Sequence, residues 1–282
     1  MKKKIASTPI TEGQERSAQV TQRWLDKDSS FRPEDEVYFD PARHEVAELF
    51  DNTTAKKFVQ QHHYSGSYCA ASRRFAILRD GLLAGVAVFG PGTNPKTVTN
   101  VFGGQAADSL ELGRFVLLDE LEKNAETWFL ARCFEVLRKE GYNGVVSFSD
   151  DQPRKRADGS VVFPGHTGGI YQAHNGIYLG RGARNTLRLL PDGTSFDRRS
   201  MSKVRADERS SREPYERLVS WGAPQLEAGQ DRAAWLRLAL ATVTRPQAHP
   251  GNHKYAWSFA RSKRARRALR ELGQRPPKRS AQ

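Results

Sequence analysis

The feature that most constrains this chain is a long amphipathic segment followed directly by a short apolar run. From the helix-capping residue Asn124 to Gly141, apolar side chains recur at helical spacing. Residues 144–149 (GVVSFS) then have the composition of a buried strand, and Asp150 follows at its carboxyl end. Because 110–118 is also strand-like, the order strand, helix, strand predicts a crossover with ligand chemistry at the strand tips.

Other segments supply the elements around this crossover. Two apolar runs between residues 74 and 89 surround Asp80-Gly81, a residue pair typical of a tight β-hairpin turn. The remaining elements predicted from the sequence are a helical stretch at 45–63, a short helix entered through the glycine-rich run 165–169, a strand at 177–179, and helices around 214–220, 232–242 and 261–270. Strands and helices thus alternate, which indicates an α/β protein.

The charge of the chain points to a polyanionic partner. It contains 45 Lys and Arg against 32 Asp and Glu, a net charge of +13. Such an excess attracts nucleic acid, although a basic surface can also serve solubility alone. The two cysteines fit neither a disulfide framework nor a zinc site, and no apolar run approaches the roughly 18 residues of a membrane span. Polar sequence follows Met1, so a cytoplasmic location is expected.

Four local motifs have a more specific meaning. They are His63-Tyr64-Ser65 after a helix, Arg114 in a core strand, Ser149-Asp150 at the end of the next strand, and the run GHTGGIYQA at 165–173. Together they resemble the Mom-like phage DNA modification proteins, over about residues 55–200. The resemblance implies a GNAT-type acyltransferase fold, with a mixed, mainly antiparallel sheet flanked by helices. It also implies an enzyme that places a carbamoylmethyl group on adenine N6 in DNA.

Taken with this resemblance, the composition suggests three parts. We predict a polar N-terminal arm at 1–35, a GNAT-like catalytic domain at 36–205, and a basic helical C-terminal extension at 206–282.

The resemblance also identifies a catalytic set. Histidine can act as an acid or base near neutral pH, tyrosine can stack on a flipped base or donate a proton, and a strand-end carboxylate can accept a proton from an amine. A buried arginine needs a carboxylate partner or an anionic ligand. Ordinary structural roles remain the alternatives: a capping histidine, packed tyrosines, an Asp-rich turn and a structural ion pair. The predicted catalytic residues are His63, Tyr64, Arg114, Asp150 and Tyr171.

The predicted donor site departs from that of an ordinary GNAT enzyme. Such an enzyme binds the coenzyme A pyrophosphate with a glycine-containing loop at a helix N-terminus. Here residues 122–127 (EKNAET) contain no glycine and two carboxylates. Arg114, Asn124 and Thr127 are the predicted contacts of an acyl-group donor, for which acetyl-coenzyme A is one option. Iron is a separate possible cofactor, which the spacing of the residues does not demand. Its nitrogen and oxygen ligands would be His63, Tyr64, Asp150 and Tyr171.

Double-stranded DNA is the predicted partner, and its contacts fall into two groups. The first group surrounds the catalytic set and comprises Ser65, Arg154, Lys155, Arg156, His166 and Gly168. The second lies in the basic helix and comprises Lys263, Arg264, Arg266 and Arg267. Cations at these positions would neutralise phosphates. Two alternatives stay open: an ordinary GNAT N-acetyltransferase acting on a small amine or a protein lysine, and a noncatalytic DNA-binding protein.

Overall fold

The computed structural model describes residues 39–92 and 94–277, so the predicted arm at 1–35 lies outside the described residues. The chain forms two compact units. The first takes in the described parts of 1–150, 166–181 and 252–282, and the second consists of 151–165 and 182–251. No helix in the described part is long and apolar enough to cross a membrane.

The helices and strands are numbered in chain order. They are β1 (His44–Glu48), α1 (Thr53–His62), β2 (Arg73–Arg79), β3 (Leu82–Gly90), α2 (Lys96–Phe102), β4 (Ser109–Leu117), α3 (Ala125–Lys139), β5 (Gly144–Ser149), β6 (Arg154–Lys155), β7 (Val161–Phe163), α4 (Gly169–Ala173), β8 (Ile177–Arg181), β9 (Asn185–Leu189), α5 (Arg198–Ala206), α6 (Arg212–Ser220), α7 (Arg232–Val243), β10 (Arg245–His249), β11 (His253–Ser258) and α8 (Lys263–Glu271).

The first unit is built on a seven-stranded sheet in the order β1-β2-β3-β4-β5-β11-β8. All neighbouring strands are antiparallel except β4 and β5, which are parallel and joined through α3. The hairpin turn between β2 and β3 falls at Asp80 and Gly81, whose φ angles are 50° and 81°. This is the mixed, mainly antiparallel α/β arrangement of the predicted GNAT-type fold, and that prediction is confirmed.

Helices cover both faces of the sheet. Because alternate residues of β3 point to opposite faces, this strand contributes to the core on each side. Ala87 and Phe89 belong to the core beneath α3, where Phe129 and Leu130 are fully buried. Val86 and Val88 belong instead to the core beneath α1. The apolar stripe of α3 therefore packs as its helical spacing predicts.

The parallel strands β4 and β5 separate partway along their length. They pair from Ser109 opposite Gly144 to Leu112 opposite Ser147, whereas β4 itself continues to Leu117. At Gly113 the register of β4 against β3 shifts by one residue, which is the signature of a β-bulge. A gap therefore opens between β4 and β5 beyond Leu112, and we call it the β4–β5 gap.

The second unit has its own core, formed by the segment after β9 and by α5, α6 and α7. Leu190, Phe196, Val204, Leu218 and Trp235 are among its buried members. Two small antiparallel ribbons, β6 with β7 and β9 with β10, complete the unit.

This division differs from the predicted domain boundary at 205/206. The segment predicted as a basic helical extension contains β11, which lies between β5 and β8 in the main sheet. Tyr255 and Ala256 on this strand are fully buried. Residues 182–205, predicted to be part of the catalytic domain, belong to the second unit. Long-range strand pairing, which composition does not reveal, decides both assignments.

The predicted helical stretch at 45–63 is also wrong in its first part. Residues 44–48 form β1, which pairs along its whole length with β2 from His44 opposite Arg79 to Glu48 opposite Phe75. Only 53–62 is helical. Five residues at a sheet edge carry too little alternation to be recognised locally, so the tertiary pairing overrides the local pattern.

Candidate active site

His63 begins the loop that follows α1, where its backbone is extended with φ −92° and ψ 134°. The backbone N–H of Ser65 donates to Nδ1 of His63 at 3.1 Å, and the Ser65 hydroxyl lies 2.9 Å from the same nitrogen. Because Nδ1 accepts the N–H, the proton of the neutral ring belongs on Nε2. Ser65 thus orients the imidazole.

The His63 ring is held neutral. Burial, together with the smaller effect of the charges of Arg114 and His166, lowers the pKa of His63 to about 3. A base of such low pKa is inefficient near neutral pH, where a general base works best with a pKa close to that of the medium. The geometry therefore favours hydrogen bonding by Nε2 over proton transfer by this ring.

Two further rings lie beside His63. The centroid of Tyr64 is 4.2 Å from that of His63, with the planes tilted by 33°. His166 meets Tyr64 edge-on at 5.9 Å, and its backbone N–H donates to the Asp150 carbonyl at 2.7 Å. His166 thereby lies against Tyr64 of the loop after α1 through its ring and against the end of β5 through its backbone.

Arg114 sits immediately after the bulge in β4. Its Nε donates to the Ser67 carbonyl at 2.7 Å, Nη2 to the Ser67 hydroxyl at 2.9 Å and Nη1 to the Gly113 carbonyl at 2.6 Å. The guanidinium therefore ties the loop after α1 to β4 through hydroxyl and carbonyl oxygens. Ser67 was not among the predicted site residues, although it stands two positions beyond Ser65.

Tyr171 on α4 supplies a buried phenol at the β4–β5 gap. Burial raises the pKa of Tyr171 well above its usual value, the charges of Tyr64 and Glu111 add to this, and a hydrogen bond with Ser147 opposes it. The Ser147 hydroxyl donates its proton to the Leu112 carbonyl at 2.9 Å, at the last pair of β4 and β5. The phenol is protonated at neutral pH and can donate a hydrogen bond where the strands part.

Asp150 and Ser149 stand at the end of β5. Asp150 is 6% exposed, and the Ser149 hydroxyl is buried without a hydrogen-bond partner among the described residues. Gly168, at φ 81°, packs so closely here that a Cβ would lie 2.9 Å from Ser149 Oγ and 2.7 Å from the Tyr255 ring. Only glycine fits this position, both for its φ and for the space.

The loop that carries His166 is fixed from β11. The Tyr255 hydroxyl donates to the Thr167 carbonyl at 2.6 Å, and Gln172 Nε2 donates to the Tyr255 hydroxyl at 3.0 Å. Neither Gln172 nor Tyr255 was a predicted site residue. The motif containing Gln172 is visible in the sequence, whereas Tyr255 is brought in only by the pairing of β11 with β5.

The predicted donor contacts Asn124 and Thr127 do not join this group. Thr127 Oγ1 donates to the Asn124 carbonyl at 3.1 Å, and Asn124 is exposed with φ 74°. Neither side chain contacts His63, Tyr64 or Tyr171 in the described part of the chain.

A buried set of charges precedes α3. Glu122 is 7% exposed, and its carboxylate lies 2.9 Å from Arg79 Nη2, 3.2 Å from His44 Nε2 and 4.0 Å from Arg43 Nη1. We call this group the ion cluster. Glu122 lies directly before the N-terminus of α3 in the chain.

The predicted DNA contacts lie in both units. In the second unit, Lys155 and Arg156 are exposed and the Arg154 guanidinium stacks 4.7 Å above the Phe163 ring. In the first unit, α8 is anchored by the buried Leu269 and exposes Lys263, Arg264, Arg266 and Arg267.

The iron set predicted from the sequence joins one histidine and one aspartate to two tyrosines, and it stays a prediction. No group of three or more His, Cys, Asp or Glu side chains among residues 39–92 and 94–277 is arranged to hold a metal ion. Nδ1 of His63 already accepts from Ser65, and the buried Tyr171 is protonated.

Comparisons with known proteins give one decisive match. The model of the Mom protein family matches residues 44–267. A search of curated proteins finds no match.

Several solved structures show a weaker likeness. A tandem GNAT protein from the clavulanic acid biosynthesis pathway is 10% identical with a TM-score of 0.41, covering 78% of this chain and 100% of that chain. An N-acetyltransferase from Staphylococcus aureus Mu50 is 11% identical with a TM-score of 0.36, covering 77% and 99%. A GNAT family N-acetyltransferase from Escherichia coli in complex with CoA is 12% identical with a TM-score of 0.32, covering 41% and 68%. At these values the likenesses carry no conclusion about activity or ligand.

Proposed function

The chain belongs to the Mom protein family, and from that premise we propose that it transfers a small acyl-derived group, of the carbamoylmethyl type, to N6 of adenine in duplex DNA. The observation that supports this most is the gathering of His63, Tyr64, Arg114, His166 and Tyr171 at the β4–β5 gap. They come from separate parts of the chain, and burial shifts the pKa of two of them, which is typical of a reactive site.

The donor fits the open side of β4. Beyond Leu112 this strand shares no further pair with β5, so its backbone groups can accept an extended, amide-bearing ligand as an added strand. Tyr171 lies where the reacting end of such a ligand would sit. An acyl-type donor is therefore favoured, held by backbone hydrogen bonds rather than by a pyrophosphate loop.

The acceptor amine needs help because its lone pair is delocalised into the purine ring. In the proposed reaction the bond from N6 to the transferred group forms as the bond from that group to its donor breaks. Asp150 accepts the proton lost by the amine, and the donor atom departs with its bonding electrons, stabilised by a hydrogen bond from the Tyr171 phenol. An adenine drawn out of the duplex would stack on the Tyr64 ring, with the neutral His63 donating from Nε2.

Mass spectrometry of nucleosides from DNA of cells expressing the protein tests this proposal. We expect a deoxyadenosine carrying the mass of a carbamoylmethyl group, and its loss in the Tyr171→Phe variant, which keeps the ring and removes the hydrogen-bond donor. Unmodified deoxyadenosine in cells that contain folded wild-type protein would contradict the proposal. Acetylated amines or lysines in the same cells would indicate an ordinary N-acetyltransferase, and DNA bound without modification would indicate a noncatalytic protein.

A further inference from the structure

We infer that the strand half of the second unit, formed by the hairpin β6–β7 and the ribbon β9–β10, is the surface that holds duplex DNA. Arg245 and Gln247 are the positioning residues that fix its basic hairpin. The inference rests on the proposed function, because it assigns a surface to the DNA that is modified.

The basic hairpin is anchored at separate points. Arg245 Nη2 donates to the Lys155 carbonyl at 2.8 Å, and Gln247 Nε2 donates to the Pro153 carbonyl at 3.1 Å. On the far side, the Ala157 backbone N–H donates to the Pro191 carbonyl at 2.7 Å. Each anchor holds a backbone atom and does not use the exposed side chains of Lys155 and Arg156.

The ribbon turns one face to the hairpin. Directly opposite residues share a face in an antiparallel pair, so Arg245 and Gln247 lie with Leu189 and Leu187 on the face that meets the hairpin. The other face contains Thr186, Arg188, Pro246 and Ala248, of which all but Arg188 are exposed. The result is a basic edge beside a face of mostly short side chains, and a two-stranded ribbon is of a size that the major groove admits.

The two halves of the second unit differ in whether their cations form ion pairs with carboxylates. In the helical half, formed by α5, α6 and α7, many cations form ion pairs with carboxylates. These pairs are Arg199 with Glu208 at 2.6 Å, Arg212 with Glu216 at 2.7 Å and Arg232 with Asp207 at 2.8 Å. In the strand half, Lys155, Arg184 and Arg245 are exposed and form no ion pair among the described residues. A cation without a carboxylate partner gains more from a phosphate than one already paired.

The basic hairpin is connected in sequence to two residues of the candidate active site. Residues 151–165 begin directly after Asp150 and end directly before His166, and both of these belong to the candidate active site. DNA held by the hairpin is therefore bound to a segment whose two ends continue into the reacting residues.

The test measures duplex affinity against salt concentration, and turnover at saturating DNA, for purified full-length variants. Neutralising Lys155 and Arg156 to Gln should lower affinity and flatten the slope of log affinity against log salt by about 0.9 for each lost phosphate contact. The Gln247→Leu variant removes an anchor without removing a charge. It should leave the slope unchanged but slow turnover several-fold, because a misplaced hairpin misplaces the target base.

Arg199→Gln is the matched control, since this cation is paired with Glu208 in the same unit and should change neither quantity. Thermal melting confirms that each variant is folded. Wild-type slope and turnover in the Lys155/Arg156 variant would overturn the inference while leaving the proposed function intact. Duplex binding with the expected slopes but without any modified base would contradict the proposed function alone. Preference for single-stranded over duplex DNA would overturn the duplex assignment.

Discussion

The ion cluster before α3 and the candidate active site at the β4–β5 gap are both buried polar groups in the first unit, yet they differ in charge balance. Around Glu122 the carboxylate has polar partners, with the Arg79 guanidinium at 2.9 Å and the His44 Nε2 at 3.2 Å. At the gap, burial pushes the pKa of His63 down and that of Tyr171 up, so both are held neutral. A balanced cluster supports the fold, whereas a group with a shifted pKa in a cleft is available for chemistry.

The largest effect is expected on the active-site side of this comparison. Replacing Asp150 by Asn removes the proposed proton acceptor and should lower kcat by about 10²–10⁴-fold with little change in melting temperature. The neighbouring Asp151→Asn is the control and should be milder, because Asp151 belongs to the second unit. The readout is the rate of base modification together with thermal melting. Equal losses in both variants, with normal melting, would contradict the role of Asp150.

A substitution in the ion cluster should lower stability and leave kcat unchanged, the opposite of what is expected at Asp150. Glu122→Gln leaves the partly buried Arg79 and the buried His44 facing a neutral amide, and we expect a loss of about 1–3 kcal/mol in the free energy of unfolding. The kcat of the folded fraction should stay near that of the wild type. Denaturant unfolding and single-turnover assays measure the two quantities.

Glu135→Gln on the exposed side of α3 is the matched control, since its pairs with Lys139 and Arg132 lie at the surface and contribute little. A Glu122 variant with normal stability and lost activity would show that the ion cluster takes part in catalysis.

The affinity for acyl donors tests whether the N-terminus of α3 binds the pyrophosphate of coenzyme A. Because residues 122–127 contain two carboxylates and no glycine, acetyl-coenzyme A should bind with a Kd weaker than about 100 μM. Acetyl-pantetheine, which lacks the nucleotide and pyrophosphate, should bind equally well. Calorimetry with both compounds gives the answer. A tenfold or greater advantage for acetyl-coenzyme A would show that the pyrophosphate is held after all.

The smallest effect concerns the pH dependence of stability. His63 has a folded pKa of about 3, below its unfolded value of about 6.5, so between these values the unfolded state binds more protons. Stability should therefore fall as the pH is lowered from about 6.5 toward 3. Since the side chain is only half-buried, we expect about 1 kcal/mol between pH 7 and pH 5. Chemical unfolding of wild type and His63→Gln at both pH values measures this, and an identical pH dependence in the two proteins would refute it.

Much of the site could be predicted because its residues lie in local motifs. His63 and Tyr64 directly follow a helix, Asp150 ends a strand, and Tyr171 lies within a glycine-introduced turn of helix, so each is visible within a few residues of sequence. Their partners were not visible. Ser67 had no signal beyond its nearness to Ser65, and the loop of His166 is held by Tyr255, whose hydrogen bond to Thr167 spans 88 residues.

The sequence by itself determined the elements whose pattern is local: α3 and β5 through apolar spacing, the β2–β3 hairpin through Asp80-Gly81, and α8 through its basic run. Tertiary structure alone decided that β1 is a strand, that β11 completes the sheet, and that 182–251 joins 151–165 in a second unit. Apolar periodicity and turn chemistry act between neighbours in the chain and can be recognised there. The pairing of distant strands depends on which surfaces meet after the intervening chain has folded, and no local pattern records it.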